Sequence, residues 1–594
     1  MAYEHLLALR AELLRQHLTG FVVPHTDEYQ NEYLPSCAER LAWLTGFTGS
    51  AGTAIVLRDE AAIFVDGRYT LQVADQADEK CFSFHNSGET SPHEWLARRA
   101  APTDRIGYDP WLHTPHDLER FQAAIERVGA QLVPCVLNPI DAVWHDRPQQ
   151  PSCVIKPHLL EFSGQSSQIK RETFGRRFSD DRIDAAVITA PDSIAWLLNI
   201  RGSDVPHTPL PLCRAILYST GRVALFVDPK KITPGLQAHL GPDISFALPE
   251  EFEAALRQLG THGNRVLCDP SKTNAWIFTT LTQSGADILH NDDPCVLPKA
   301  CKNSVEIAGA YAAHQRDGVA MCQFLAWLAR EGSKGQVTEL EAVDYLDACR
   351  RMQAMWEDCS FPTISGAGSN GAIVHYHSTR ETNRRLEPGT LYLVDSGGQY
   401  LDGTTDITRT LVIGRPSNEH RDRYTRVLQG HIALATARFP EGTTGSQLDT
   451  LARAPLWAMG LDYDHGTGHG VGSFLGVHEG PQRIGKAANA VALKPGMIVS
   501  NEPGYYKTGA YGIRLENLVT VVKDESLKNS SRTFLAFDTL TIVPFERALI
   551  ATEVLSLKER QWVDTYHARV WAELQSAVDT DTRVWLERAT QPLD

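Results

Sequence analysis

The eleven cysteines include no CxxC pair, and the closest two, Cys295 and Cys301, stand six residues apart. That spacing argues against a zinc knuckle, and the odd count argues against a disulfide framework, so buried free thiols in a reducing compartment are expected. No run of about 18 apolar residues is present to span a bilayer. The opening MAYEHLLALRAELLRQHL reads as a charged amphipathic helix without a signal-peptide core. Positive charge is not in excess: the net charge of −15 argues against a nucleic-acid backbone or an anionic membrane surface as main partner. With 42% hydrophobic and 22% charged residues there is no bias toward disorder. A cytoplasmic globular protein is expected.

At 594 residues the chain far exceeds the roughly 250 to 300 at which one hydrophobic core stops growing, so two to four domains are expected. Two stretches of the first half resemble each other. RLAWLTGF at 40–47 precedes AAIFVDGRY, and SIAWLLNI at 193–200 precedes VALFVDPKK, which sets Trp43 beside Trp196 and Asp66 beside Asp228 in the comparison. Helix-like and strand-like segments alternate in both, as in a duplicated α/β unit. The polar, proline-bearing HNDDPCVLPKACKN from His290 reads as a connection between domains. Beyond it Ile307, Ala310, Val319, Cys322, Leu325 and Leu328 recur at helical spacing. The expected domains are 1–150, 151–300 and 301–594, in a mixed α/β (α+β) chain.

The chemistry concentrates in the third domain. In TLYLVDSGGQYLDGTTDITRTLVIG, Asp395 follows Leu391 and Leu393 on one strand face, and a carboxylate there must be paired or hold a cation. Gly397 and Gly398 read as a turn that brings Asp406 back beside it. IVSNEPGYYKTGAYGIRLENLVTVV repeats the arrangement with Glu502, a turn at Pro503 and Gly504, and Glu516. Between the two lies HGTGHGVG, with His465 and His469 four apart among Gly466, Gly468, Gly470 and Gly472, glycines that let backbone and substrate come close. Four carboxylates and one imidazole form an oxygen-rich set suited to manganese, cobalt, iron or zinc. They are too many for one catalytic zinc and fit two ions sharing bridging carboxylates, with a water or hydroxide between them as nucleophile.

The order Asp395, Asp406, His469, Glu502, Glu516, with VDSGGQY, TTDITRT, HGTGHGVG, NEPGYY and GIRLEN, resembles the pita-bread metallopeptidases. Among them the whole chain is similar to the long, three-domain form of the aminopeptidase P (Xaa-Pro aminopeptidase) family, including the tail FLAFDTLTIVPFERALIATEVL. The resemblance implies two creatinase-like N-terminal domains, a pita-bread catalytic domain, a homodimer and two divalent ions, manganese first with cobalt or zinc also suited. It implies that Asp395 binds one ion, Asp406 and Glu516 bridge both, and His469 and Glu502 complete the second, Glu502 also moving protons. It places His375 of GAIVHYHS, His465 and His478 of GVHEGP at the substrate and Arg514 behind the metal-binding carboxylates. Phe361, Tyr505 and Tyr506 are candidates for a proline pocket. Trp457 is expected as a core aromatic on a helix, and His377 would face the same way as His375 if the segment is a strand.

The implied activity is removal of one N-terminal residue from peptides whose second residue is proline. Their tertiary amide lacks an N–H and has a ring-fixed φ, so a dedicated pocket is required. A prolidase restricted to Xaa-Pro dipeptides stays open at this point. A methionine aminopeptidase shares the five ligands but usually lacks two such N-terminal domains, and non-catalytic pita-bread relatives typically lose ligands.

Overall fold

The computed structural model describes residues 2–593. The chain forms two compact units, one of Met1–Leu160 with Gln165–Val296 and one of Glu161–Gly164 with Leu297–Asp594.

The first unit holds two six-stranded sheets. One uses Gly20–Pro24, Thr53–Leu57, Ala61–Val65, Ser83–Asn86, Arg105–Tyr108 and Gln131–Pro134; the other uses Ala185–Ile188, Arg214–Tyr218, Val223–Phe226, Ile244–Ala247, Arg265–Cys268 and Asp287–His290. Counted along the chain, both sheets are ordered 4-3-2-1-5-6. In both, strands 1–2 and 2–3 pair antiparallel while 3–4, 1–5 and 5–6 pair parallel. Asp66 and Asp228 follow the third strand of each sheet, and Trp43 and Trp196 lie on the helix between the first and second strands. Identical order and pairing sense are what a duplicated α/β unit produces.

Strand alternation explains the layering. Phe21, Val23, Ala54, Val56, Ile63 and Val65 pack with Leu6, Leu9 and Leu13 of the helix Ala2–Arg15. Their neighbours Val22, Ile55, Ala62 and Phe64 pack on the opposite face with Trp95, Leu96, Phe121 and Ile125. Both faces are covered, as a sheet with parallel strands requires. All eleven cysteines are free, seven of them in this unit's strands, helices and loops at Cys37, Cys81, Cys135, Cys153, Cys213, Cys268 and Cys295.

The second unit opens on the helix Ser304–Glu331. Asn303 caps it, accepting from the Val305 and Glu306 amides at 2.9 and 3.1 Å while Glu306 reaches back to the Asn303 N–H at 3.0 Å, a reciprocal cap of about 1 kcal/mol. Two antiparallel hairpins form the heart of the unit. Leu391–Ser396 pairs with Ile407–Val412, and Ile498–Asn501 pairs with Asn517–Lys523.

Neither hairpin turns where the sequence suggested. Gly398–Tyr400 is itself a strand paired with Gly403–Thr404, so the first reversal falls at Leu401 and Asp402 rather than at Gly397 and Gly398. Likewise Gly504–Lys507 pairs with Tyr511–Arg514, which moves the second reversal from Pro503 and Gly504 to the residues around Gly509. Each hairpin is thus a two-stranded stem that breaks, sends out a second, smaller ladder, and rejoins. The four acids lie at those breaks. The segment 373–378 is irregular, not a strand, so His375 and His377 share no strand face. Trp457, at the end of the helix Gly445–Trp457, is 45% exposed and belongs to no core.

Candidate metal centre and active site

Asp395 is the penultimate residue of its strand, and Asp406 directly precedes the strand that returns. Glu502 directly follows Ile498–Asn501, and Glu516 directly precedes Asn517–Lys523. At such breaks the ladder no longer takes up every backbone group, and side chains of the two hairpins lock them together instead. The Glu516 N–H donates to the Thr408 carbonyl at 3.2 Å, and the Thr408 hydroxyl donates to Glu516 Oε2 at 2.7 Å. Thr410, two residues on and on the same face, exchanges hydrogen bonds with the Arg514 backbone, both at 3.1 Å. The alternating threonines of TTDITRT are therefore the clasp between GIRLEN and the first hairpin.

His469 arrives on the strand Gly468–Gly470, wedged between neighbouring strands. A Cβ on Gly468 would stand 2.0 Å from the Ser500 carbonyl oxygen, and one on Gly470 2.2 Å from that of Glu479, so only glycine permits this approach. The His469 Nδ1 faces the Gly470 carbonyl at 2.9 Å and must carry a proton to bond it, which turns Nε2 inward. There it lies 3.4 Å from Asp406 Oδ2 and 3.6 Å from Glu502 Oε1. Ligand atoms of Asp406, His469 and Glu516 all fall within 4.8 Å of one another. Asp395 is near enough for the Asp406 and Glu502 charges to act on it, and its Oδ2 accepts from Arg514 Nη2 at 2.6 Å.

So many buried acids strain one another. Burial, opposed by Arg514, pushes Asp395 up to about 6. Burial and the neighbouring Asp406, Glu502 and Asp395 carboxylates hold Glu516 well above the usual range, and burial also raises Glu502. Burial opposes charge on His469, yet Asp406 and Glu502 lift it to about 9. Asp395 Oδ1 and Glu516 Oε1 are buried with no hydrogen-bond partner. Orphaned, buried carboxylate oxygens among so many acids suit divalent cations, which would neutralise the repulsion and take up the lone pairs.

Around this cluster, Tyr506 accepts from Arg514 Nη1 at 2.6 Å, and its hydroxyl lies 2.9 Å from His465 Nε2. His465 Nδ1 faces the Gly466 carbonyl at 2.7 Å and so carries a proton. His478 is exposed, and its ring stands perpendicular to that of His469 with centroids 4.4 Å apart. His375 is half-buried, and the preceding Val374 carbonyl accepts from Arg514 at 3.3 Å. Of the pocket candidates, Tyr506 joins the site. Tyr505, its neighbour on the same strand, points the other way, under Arg423 and beside Tyr511. Phe361 is buried next to Ser360, whose hydroxyl holds the Thr405 carbonyl.

Three features were missed in the sequence. Lys299 and Lys302 both donate to the buried carboxylate of Glu479, fixing the residue next to His478. Their positions inside a proline-bearing connector gave no sign of burial. Arg409, inside the TTDITRT motif, is fully buried and donates to the Glu516, Val543 and Pro544 carbonyls, which ties the C-terminal residues to the metal-site hairpins. Glu339 lies at a helix start, where an acid is ordinary. The N–H donors that make it distinctive come from residues distant in sequence.

Comparison with known proteins agrees with this geometry. Residues 309–523 match metallopeptidase family M24, residues 6–141 and 146–306 each match the creatinase/prolidase N-terminal domain, and residues 533–593 match the C-terminal region of peptidase M24. Aminopeptidase P2 of Arabidopsis thaliana is 39% identical over 97% of this chain and 86% of its own. A probable Xaa-Pro aminopeptidase P of Aspergillus fumigatus is 38% identical over 99% of this chain and 92% of its own. The crystal structure of X-prolyl aminopeptidase from Caenorhabditis elegans, described as a cytosolic enzyme with a di-nuclear active site, superposes with a TM-score of 0.96 at 33% identity over the full length of both chains. No helix among the described residues is long and apolar enough to cross a membrane. The chain belongs to the M24 metallopeptidases, within the Xaa-Pro aminopeptidase P family.

Proposed function

We propose that the protein hydrolyses the N-terminal Xaa-Pro bond of peptides at a site holding two divalent ions, manganese in the cell. The observation that supports this reading is the gathering of Asp406, His469 and Glu516 within 4.8 Å, with Glu502 3.6 Å from His469, Asp395 within reach of the Asp406 charge, and two buried carboxylate oxygens left unpartnered. The names of its relatives, and the di-nuclear site of the Caenorhabditis elegans enzyme, support it.

In this reading Asp395 would hold one ion, Asp406 and Glu516 would serve both, and His469 and Glu502 would hold the other. Two such ions, when bound, would supply Lewis acidity toward the scissile carbonyl and a water. Glu502, steadied by the Ser500 hydroxyl at 3.1 Å, takes a proton from the attacking water and returns one to the departing proline nitrogen. His465, bonded at Nε2 to the Tyr506 hydroxyl, faces the substrate with His375 and His478. Arg514 orients Asp395 and Tyr506 together. The domains divide at 1–150, 151–300 and 301–594, and the working form is a cytoplasmic homodimer.

Comparing Arg-Pro with Arg-Pro-Pro and longer Xaa-Pro peptides tests the reading. Efficient release of the first residue from the longer peptides is expected; hydrolysis confined to the dipeptide would make the protein a prolidase.

A further inference from the structure

The segment between Ala367, the last residue of the strand Ile364–Ala367, and Arg384 carries His375 and, apart from a short helical turn at Gly368–Ala372, is irregular. Such a segment needs something to hold it, and one side chain supplies four of its ties. Glu339, the first residue of the helix Glu339–Arg351, is wholly buried. Its Oε1 accepts from the Ala367 N–H at 2.7 Å and from Asn370 Nδ2 at 3.0 Å. Its Oε2 accepts from the Tyr376 hydroxyl and the Arg384 N–H, both at 3.0 Å. The Glu339 backbone adds two more ties, its N–H to the Arg384 carbonyl at 2.9 Å and its carbonyl to the Ser365 hydroxyl at 2.9 Å.

One carboxylate thus pins both ends of the segment and two points within it. All four side-chain partners are uncharged donors, so the anion itself organises them, as a backbone nest organises around a bound anion. Burial pushes the Glu339 carboxyl up while these four bonds pull it down. A glutamine could not substitute: its amide nitrogen would face donors, leaving N–H or O–H groups without an acceptor.

The segment is also attached to Arg514 beside the acidic cluster. Arg514 Nη2, which holds Asp395, also donates to the Val374 carbonyl. His375 therefore sits between two anchored neighbours, Val374 on Arg514 and Tyr376 on Glu339. Ile373, Tyr376 and Tyr506 pack with Ile364 and Leu393 beneath it.

We propose that Glu339 is a positioning residue: through the Tyr376 hydroxyl and the Ala367 and Arg384 amides it holds the segment that presents His375 to the peptide. The proposal rests on the aminopeptidase reading and names the residue that makes one wall of its substrate site rigid.

The test uses the full-length, metal-loaded protein and the variants Tyr376→Phe, which removes one of the four bonds to Glu339 together with that hydroxyl's contacts to Thr382 and Asn370, and Glu339→Gln, which disturbs all four. Turnover of Arg-Pro-Pro by the unaltered protein is measured alongside. Tyr376→Phe is expected to lower kcat about ten-fold and Glu339→Gln more, with metal content unchanged and amide exchange faster across residues 370–384. In a His375→Ala background, Tyr376→Phe should have little further effect on kcat, because both changes act on one element. Unchanged kcat, losses that multiply independently of His375, or loss of metal in place of kcat would overturn the proposal. No turnover by the unaltered protein would instead overturn the aminopeptidase reading and the proposal with it.

Discussion

Arg514 and Asp395 form an ion pair 2.6 Å long with side chains only 2% and 11% exposed. The same guanidinium bonds the Tyr506 hydroxyl, the Thr408 hydroxyl and the Val374 carbonyl. A planar fork can serve four partners at once and an ammonium cannot. Arg514→Lys should therefore lower metal affinity or activity about 10- to 100-fold, as loss of groups that orient metal ligands does. Arg514→Ala, which leaves Asp395 as an uncompensated buried charge, should cost about 3–5 kcal/mol of stability when no metal is bound. Metal titration and thermal unfolding check the two; wild-type metal affinity in Arg514→Lys would remove the arginine from the site's design.

Asp406 stands closest to His469 among the acids that could bridge two ions. Asp406→Asn keeps the shape and withdraws the charge, so activity should fall by several orders of magnitude while the far-ultraviolet spectrum and the unfolding midpoint stay close to wild type. More than about a tenth of the activity remaining would contradict the two-ion assignment.

Metal affinity should rise with pH. Without metal, Asp395 titrates near 6, Glu502 and Glu516 are raised, and His469 titrates near 9. Ions compete with those protons, so binding near pH 6 to 7 must release them. Calorimetric titration in two buffers of different ionisation enthalpy should show net proton release that shrinks toward pH 9. Binding enthalpies independent of buffer would mean that the acids are already deprotonated.

His431 and His567 lie in the core of the second unit, and burial draws both down to about 3. His567 Nε2 accepts from the Phe545 N–H, and the His431 ring packs on Phe545 and Trp562. Their folded pKa values lie below the unfolded value of about 6.5, so the folded state binds fewer protons. Stability is fully present above pH 6.5 and falls as pH drops toward 3. Proton uptake on unfolding at pH 5 should fall by about one in His431→Gln. An unaltered slope would show that His431 is already charged in the fold.

Much of the site was legible because its chemistry is local. Each acid sits in a short word of its own, and the strand pattern around Asp395 and Glu516 places the acid without knowledge of the partner strand. The duplicated N-terminal unit was legible for a similar reason: the apolar strand ending in Phe-Val-Asp recurs in both halves. What escaped is set by tertiary contact. Pro503 and Gly504 look like a turn but continue into a strand, because Tyr505 and Tyr506 pair with Gly512 and Ile513. Trp457 looked like core because it is apolar and helical, yet it closes the helix at the surface. Glu339 and Arg409 look like ordinary charged residues until partners 28 and 107 positions away come into reach.

The most direct measurement is release of the N-terminal residue from Arg-Pro-Pro and from Arg-Ala-Ala by chelator-stripped protein, with and without added manganese. A metal-dependent Xaa-Pro aminopeptidase activity predicts cleavage of the proline peptide alone, and only with metal. Equal cleavage of both peptides, or cleavage that survives the chelator, would contradict it.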